Sequence, residues 1–151
     1  MNILIEKSKR LLTLVRDTEE NLTFSVVLGK CPEGHKQLEG DFRTPEGEYY
    51  VCTKNEKSKY HLALGLSYPN PVDAASALSC GQISPEQYSA ILAAHQNGKR
   101  PPWDTNLGGF VMIHGGGTES DWTAGCIAMN NEDIELLFSL CPMGTPVKII
   151  P

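Results

Sequence analysis

The strongest constraint on the fold is where the short apolar runs fall. Ile3-Leu-Ile5, Arg10 to Val15, Leu22 to Leu28, Glu48 to Thr53 and His61 to Ser67 are all of strand length and too brief for an ordinary helix. Asp17-Thr-Glu-Glu-Asn21 supplies turn chemistry between the second and third runs, so those two read as a hairpin ending at Gly29. Glu33 to Thr44 is polar and contains glycine, and reads as a loop.

The middle changes character. Pro71 to Ser79 is alanine-rich and predicts a short helix. Ser84-Pro85-Glu86-Gln87 combines a capping serine, proline at the first helical position and a glutamine that closes a capping box. That helix is expected to run through Tyr88, Ile91 and Leu92 to about Asn97, with Gly98 as its stop. Lys99 to Asn106 carries Pro101-Pro102-Trp103 and must be an irregular loop. Phe110 to Ile113 is an apolar strand ending at His114, and Gly144 to Ile150 is a final strand. Asn131 to Leu140 predicts a helix, with Asn131 capping it and acidic residues in its first turn. No repeat or linker divides the chain, so residues 1–151 read as one β-rich domain with two or three helices.

Composition removes several functions. With 40% apolar and 21% charged residues the chain is of the soluble globular kind. A net charge of −5 and the lack of any Lys/Arg stripe argue against a nucleic-acid partner. No run approaches transmembrane length, so membrane insertion is not expected. Met1 to Arg10 has charges without an apolar stretch behind them and is not a secretory signal peptide. The five cysteines leave at least one unpaired, and none has the spacing of a zinc site. No metal or cofactor is expected. Cys52 and Cys141 sit in apolar stretches and read as small core residues.

The richest segment runs from Val111 to Asn131 and contains His114-Gly-Gly-Gly117 and Gly125-Cys126-Ile127. Taken singly, a cysteine is most often core and a histidine most often structural. Together they form a thiol and a base, and a thiol needs an imidazole or a helix N-terminus nearby to favour its thiolate. Backbone N–H groups freed by Gly125 suit an oxyanion on an attacked carbonyl.

This segment resembles the signature of the L,D-transpeptidase (YkuD-type) catalytic domain. The matching elements are Ile113-His114-Gly115, Thr123-Ala124-Gly125-Cys126-Ile127 and Asn131. Gly40-Asp-Phe-Arg-Thr44-Pro45-Glu-Gly47-Glu-Tyr49 is similar to the family's upstream segment, and His61 to Asn70 with Asp121-Trp122-Thr123 resembles the stand-alone, YafK-type branch. The resemblance covers nearly the whole chain. It implies a mainly β fold with α, a β-sandwich or barrel-like core with two or three peripheral helices, with residues 71–103 inserted beside the cleft.

It also implies a chemistry. Cys126 would attack the carbonyl of the third residue of a peptidoglycan tetrapeptide stem and expel D-alanine. His114 would take the thiol proton, oriented by the carbonyl of Gly115. The amides of Gly125 and Cys126 would form the oxyanion hole and Thr123 would support the loop. Trp122, Asp121, Tyr68 and His61 are the further substrate-side candidates, and Asp121 lies near enough in sequence to be weighed as a carboxylate partner for His114. Peptidoglycan stem peptides are then the partner, the chain is expected to be a monomer, and the cell envelope is the implied location, with the cytoplasm left open by the lack of a leader.

Two positions depart from the family pattern. Ala124 and Ala128 stand where many members carry a histidine or other polar residue and an arginine. They bear on whether the acyl group passes to an amine, giving 3–3 cross-links or an attached protein or amino acid, or to water, giving an L,D-carboxypeptidase or endopeptidase. A catalytically inactive peptidoglycan-binding module is the reading of another class, and retention of both Cys126 and His114 counts against it. The His-Gly-Gly-Gly run also suits a lipase-like oxyanion loop, but Gly65-Leu-Ser-Tyr-Pro69 lacks the last glycine of a nucleophile elbow. No Gly-Lys-Ser/Thr follows the glycines, so a phosphate loop is excluded.

Overall fold

A computed structural model describes residues 1–151. In chain order the elements are β1 (Asn2–Glu6), β2 (Leu11–Val15), β3 (Leu22–Ser25), β4 (Gly47–Ser58), β5 (His61–Leu66), α1 (Pro71–Ser79), α2 (Pro85–Gln96), β6 (Met112–His114), β7 (Ile127–Ala128), α3 (Asn131–Leu140) and β8 (Pro146–Ile150). The strands form one sheet in the order β3-β2-β1-β8-β4-β5-β6-β7.

Alternation drives the first strands. In β1 and β2 every second residue is buried, so Ile3, Ile5, Leu12 and Leu14 enter the core while their neighbours face outward. β1 pairs antiparallel with β2 and parallel with β8, which sets the two chain ends side by side. β3 ends at Ser25, but the chain continues to Val27, whose N–H and C=O both bond Ala128 at 3.0 Å. This bridge links the two ends of the sheet order and curls the sheet into a barrel-like half-shell. The mainly β fold with three helices is as expected.

The helices match their sequence signals closely. α1 and α2 both start with proline and both carry a complete capping box, Asn70 with Asp73 and Ser84 with Gln87. α1 buries Ala74 and Ala77, α2 buries Ile91, and α3 buries Ile134 and Leu137, all in the 26-residue core cluster. Three boundaries differ from expectation. β4 continues past Thr53 through the polar residues to Ser58, pairing with β5 through two register shifts. The strand expected at Phe110 to Ile113 is displaced to Met112–His114, because Phe110 adopts φ 55° and breaks the extended path. Asn130 rather than Asn131 occupies the N-cap of α3, and its side chain makes no capping bond.

Candidate active site

The last residue of β6 is His114. The register of the parallel β6–β7 pair sets Ile113 against Ile127 and His114 against Ala128. Cys126 immediately precedes β7, and its Sγ lies against the β6 backbone, 3.4 Å from the Met112 nitrogen two residues before His114. β7 separates Cys126 from α3, so the helix N-terminus invoked for the thiolate is not adjacent to it.

His114 is buried, and its Nδ1 lies 2.6 Å from the Gly115 carbonyl oxygen. A carbonyl only accepts, so Nδ1 carries the proton and Nε2 is left as the basic nitrogen. Burial pushes the imidazole below its ordinary titration range, with the Gly115 carbonyl opposing that shift. Residue 115 is itself fixed, since its N–H donates to the Tyr60 carbonyl at 3.0 Å. The Tyr60 ring stacks on the imidazole with centroids 4.6 Å apart, and Trp122 meets both rings edge-on.

The Cys126 thiol donates to the Phe110 carbonyl at 3.2 Å and accepts from the Met112 N–H at 3.4 Å. No hydrogen bond joins it to His114. Burial pushes the thiol up, while the Met112 amide and the charge of Lys36 pull it down. Both shifts favour the uncharged forms, so the pair rests as thiol and neutral imidazole.

The loop that presents Cys126 is braced from below. Gly125 has φ +139°, and a Cβ there would lie 2.8 Å from the Arg43 carbonyl oxygen, so a side chain is excluded both by conformation and by space. Gly29 is equally confined: a Cβ would stand 2.2 Å from the Phe42 carbonyl oxygen and 3.1 Å from Gly125 Cα. The Gly29 N–H donates to Thr44 Oγ1 at 3.0 Å. The upstream Gly40 to Tyr49 segment thus lies directly under the cysteine loop. Lys36, buried and bonded to Asp41 and the Leu38 carbonyl, brings its Nζ within 3.8 Å of where that Gly125 Cβ would be.

Thr123 ties the loop together, donating to the Cys126 carbonyl at 2.7 Å and accepting from the Gly125 N–H at 3.1 Å. That second bond corrects the expected oxyanion hole. The Gly125 amide is already engaged, whereas the Cys126 N–H has no intramolecular partner.

Other candidates fall elsewhere. Asp121 does not reach His114: its carboxylate takes Arg10 Nε at 3.1 Å, Arg10 Nη2 at 2.8 Å and the Leu28 N–H at 2.9 Å. These donors hold the carboxyl below its usual range against the opposing cost of burial. His61 points to α3, where Nε2 meets Glu135 at 2.6 Å. Tyr68 is fully buried and donates to the Leu107 carbonyl at 2.9 Å. Trp122 is close, with Nε1–H donating to the Gly117 carbonyl at 3.1 Å. Asn131 serves the glycine loop instead of a cap, accepting the Gly116 N–H at 3.0 Å.

Tyr60, Lys36 and Phe110 were not foreseen. A tyrosine at a hairpin turn, a lysine in a polar loop and a phenylalanine entering a strand carry no local signal of their neighbours.

Replacing Asp121 with alanine leaves Arg10 and the Leu28 amide without their acceptor and should cost about 1–3 kcal/mol of stability, measured by denaturant unfolding. Because the folded carboxyl titrates low, its contribution is complete above the ordinary carboxylate range and is lost as pH falls through the lowered value. An Asp121→Ala variant with unchanged stability but no reactive Cys126 would return Asp121 to the chemistry.

Two cavities flank these elements. One of about 680 Å³ lies between helices α1 and α2 and the 35–37 loop, lined by His35, Lys36, Tyr68, Asp73 and His95 among others. The second, of about 440 Å³, adjoins the His114 side and is lined by Tyr60, Gly116, Gly117, Glu119, Ser120 and Trp122.

The curled β sheet, with a histidine ending β6 and a cysteine loop leading into β7, belongs to the L,D-transpeptidase class of domain. Residues 2–149 match the family described as the L,D-transpeptidase catalytic domain, YkuD, and the chain belongs to that family. YafK, a candidate L,D-transpeptidase of Escherichia coli strain K12, is 29% identical over 107 residues, covering 70% of this chain and 30% of YafK. YqjB, a candidate L,D-transpeptidase of Bacillus subtilis strain 168, is 25% identical over 147 residues, covering 97% of this chain and 69% of YqjB. The helical cell shape determining protein Pgp2 of Campylobacter jejuni superposes with a TM-score of 0.65 at 21% identity, covering 97% of this chain and 46% of that one. That likeness establishes the fold. The chain therefore spans less than a third of YafK and less than half of Pgp2.

Proposed function

We propose that the chain is a cysteine-dependent L,D-transpeptidase domain that acts on the tetrapeptide stems of peptidoglycan through a thioester acyl-enzyme. The observation that carries this is the fixed tautomer of His114. Its Nδ1–H is held by the Gly115 carbonyl, which leaves Nε2 basic, and the ring ends β6, the strand against whose Met112 N–H the Cys126 sulfur rests.

In the acylation step the Cys126 thiol leaves the Phe110 carbonyl and gives its proton to His114 Nε2 as sulfur attacks the carbonyl carbon of the third stem residue. The unpartnered Cys126 N–H donates to the oxygen that becomes anionic. Collapse breaks the C–N bond to D-alanine, whose nitrogen takes the proton from the imidazolium, and leaves a thioester. An acceptor amine then attacks, His114 removes its proton, and the thiol is regenerated with a new amide bond. Water in place of the amine gives a shortened stem and makes the domain an L,D-carboxypeptidase or endopeptidase. The substrate lies outside the cytoplasmic membrane, which places the proposed work in the cell envelope.

The test is incubation with purified tetrapeptide muropeptides followed by mass spectrometry. Dimers lacking one D-alanine mark transfer, and shortened monomers mark hydrolysis. Unchanged substrate with no protein adduct contradicts both and supports a binding module.

A further inference from the structure

The acyl-transfer reading leaves one question of chemistry open. When Cys126 gives up its proton, His114 becomes an imidazolium inside a buried pocket, and no carboxylate contacts it. Asp121 is taken by Arg10 and Leu28, and Glu135 is paired with His61. What does meet the imidazole is aromatic. The Tyr60 ring lies nearly parallel to it, at 22° and 4.6 Å between centroids. Trp122 stands edge-on to both rings, 5.6 Å from His114 and 5.0 Å from Tyr60.

Tyr60 acts at two levels. Its backbone carbonyl accepts the Gly115 N–H at 3.0 Å, and the Gly115 carbonyl in turn accepts His114 Nδ1–H at 2.6 Å. The same residue therefore anchors the group that sets the tautomer and covers the face of the ring. A π face at this distance attracts a cation in proportion to how far water is excluded. The neutral imidazole gains no such attraction, so the contact strengthens as the proton is transferred.

We propose that Tyr60 is the positioning residue of His114, and that its ring takes the place of a triad carboxylate by stabilising the imidazolium formed in the acyl-transfer steps. The proposal rests on Cys126 and His114 being the reacting pair. The Tyr60 hydroxyl makes no hydrogen bond, so the aromatic face and not the oxygen carries the effect. Other charged groups near this pair of rings are few: Lys59 lies 5.5 Å from the Tyr60 centroid, and Glu119 lines the cavity that Tyr60 and Trp122 share. Burial and the Gly115 carbonyl alone account for the resting titration of His114, with no neighbouring ion contributing.

The experiment compares the full chain with its Tyr60→Phe and Tyr60→Leu variants. Two readouts are taken: the rate at which a carbapenem acylates Cys126 across a pH series, with the adduct mapped by peptide mass spectrometry, and the titration of the His114 ring by NMR. Phenylalanine keeps the π face and should match the unsubstituted chain in both. Leucine keeps apolar cover but removes that face, so acylation should slow by about three- to tenfold and the His114 midpoint should move to lower pH, because the charged form loses its partner. Should leucine prevent folding, Tyr60→Met makes the same comparison.

Unchanged rate and midpoint in the aliphatic variant overturn the proposal, as does a phenylalanine variant that fails like leucine. A different failure is recognisable. If the unsubstituted chain forms no adduct at Cys126, the acyl-enzyme reading falls, while the NMR titration still decides the role of Tyr60.

Discussion

Replacing Cys126 with alanine should abolish formation of any acyl adduct and lower turnover of tetrapeptide stems by at least about 10⁴-fold. The size follows from what the sulfur does. In the proposed mechanism it forms the covalent intermediate, and no second cysteine is placed to substitute. Cys52 and Cys141 are buried in the core with thiols pushed up to about 11, and Cys31 and Cys80 lie exposed on the surface, outside the loop that Thr123 ties together around Cys126. Folding should survive the change, because the loop is held by Thr123, by the Gly29–Thr44 bond and by the confined backbone at Gly125 rather than by sulfur. A melting curve close to that of the unsubstituted chain, together with complete loss of turnover, is the expected pair of results.

Replacing His114 with glutamine should cost about 10²- to 10⁴-fold in acylation, and this loss should depend on pH in a way that the alanine variant's does not. In the proposed mechanism a neutral imidazole takes the proton from a neutral thiol, in keeping with the lowered imidazole and the raised thiol, so the reaction needs no prior thiolate. Without the base, only the fraction of Cys126 already ionised can react. Burial holds that thiol above its usual range, so the ionised fraction is small at neutral pH and grows as pH rises towards the raised value. The glutamine variant should therefore regain rate steadily with alkali, while the Cys126→Ala variant regains none. A flat profile for the glutamine variant would mean that His114 is not the base.

Much of this was legible in the sequence, and the parts that were not have physical causes. Helix α2 is announced by a capping serine followed by proline, α1 by its alanine-rich run, and both appear where expected. The first two strands are announced by alternation. β7 is two residues long and exists only because β6 and Val27 flank it, so no local pattern could reveal it. The far half of β4 is polar and solvent-facing, and its strand form comes from the partner β5 rather than from its own residues.

The site divides in the same way. His114 and Gly115 are bonded to each other, as are Thr123 and Cys126, and all four are close in sequence. Asp121 is equally close in sequence, yet its partner Arg10 is 111 residues away, so proximity along the chain misleads. Asn131 reads as a cap because asparagine accepts an amide there, and it does accept one, from Gly116 rather than from its own helix. Tyr60 reaches His114 only because β5 pairs with β6, a contact between distant segments that composition does not announce.

The most direct test of the central claim is mapping of carbapenem acylation across all five cysteines of the folded chain. A β-lactam discriminates better than a simple alkylating agent, since Cys31 and Cys80 are more exposed than Cys126 and would compete on access alone. A single adduct of the carbapenem's mass is expected on Cys126, strongly reduced in the His114→Gln variant at neutral pH. An unmodified Cys126 alongside labelled surface cysteines would contradict it.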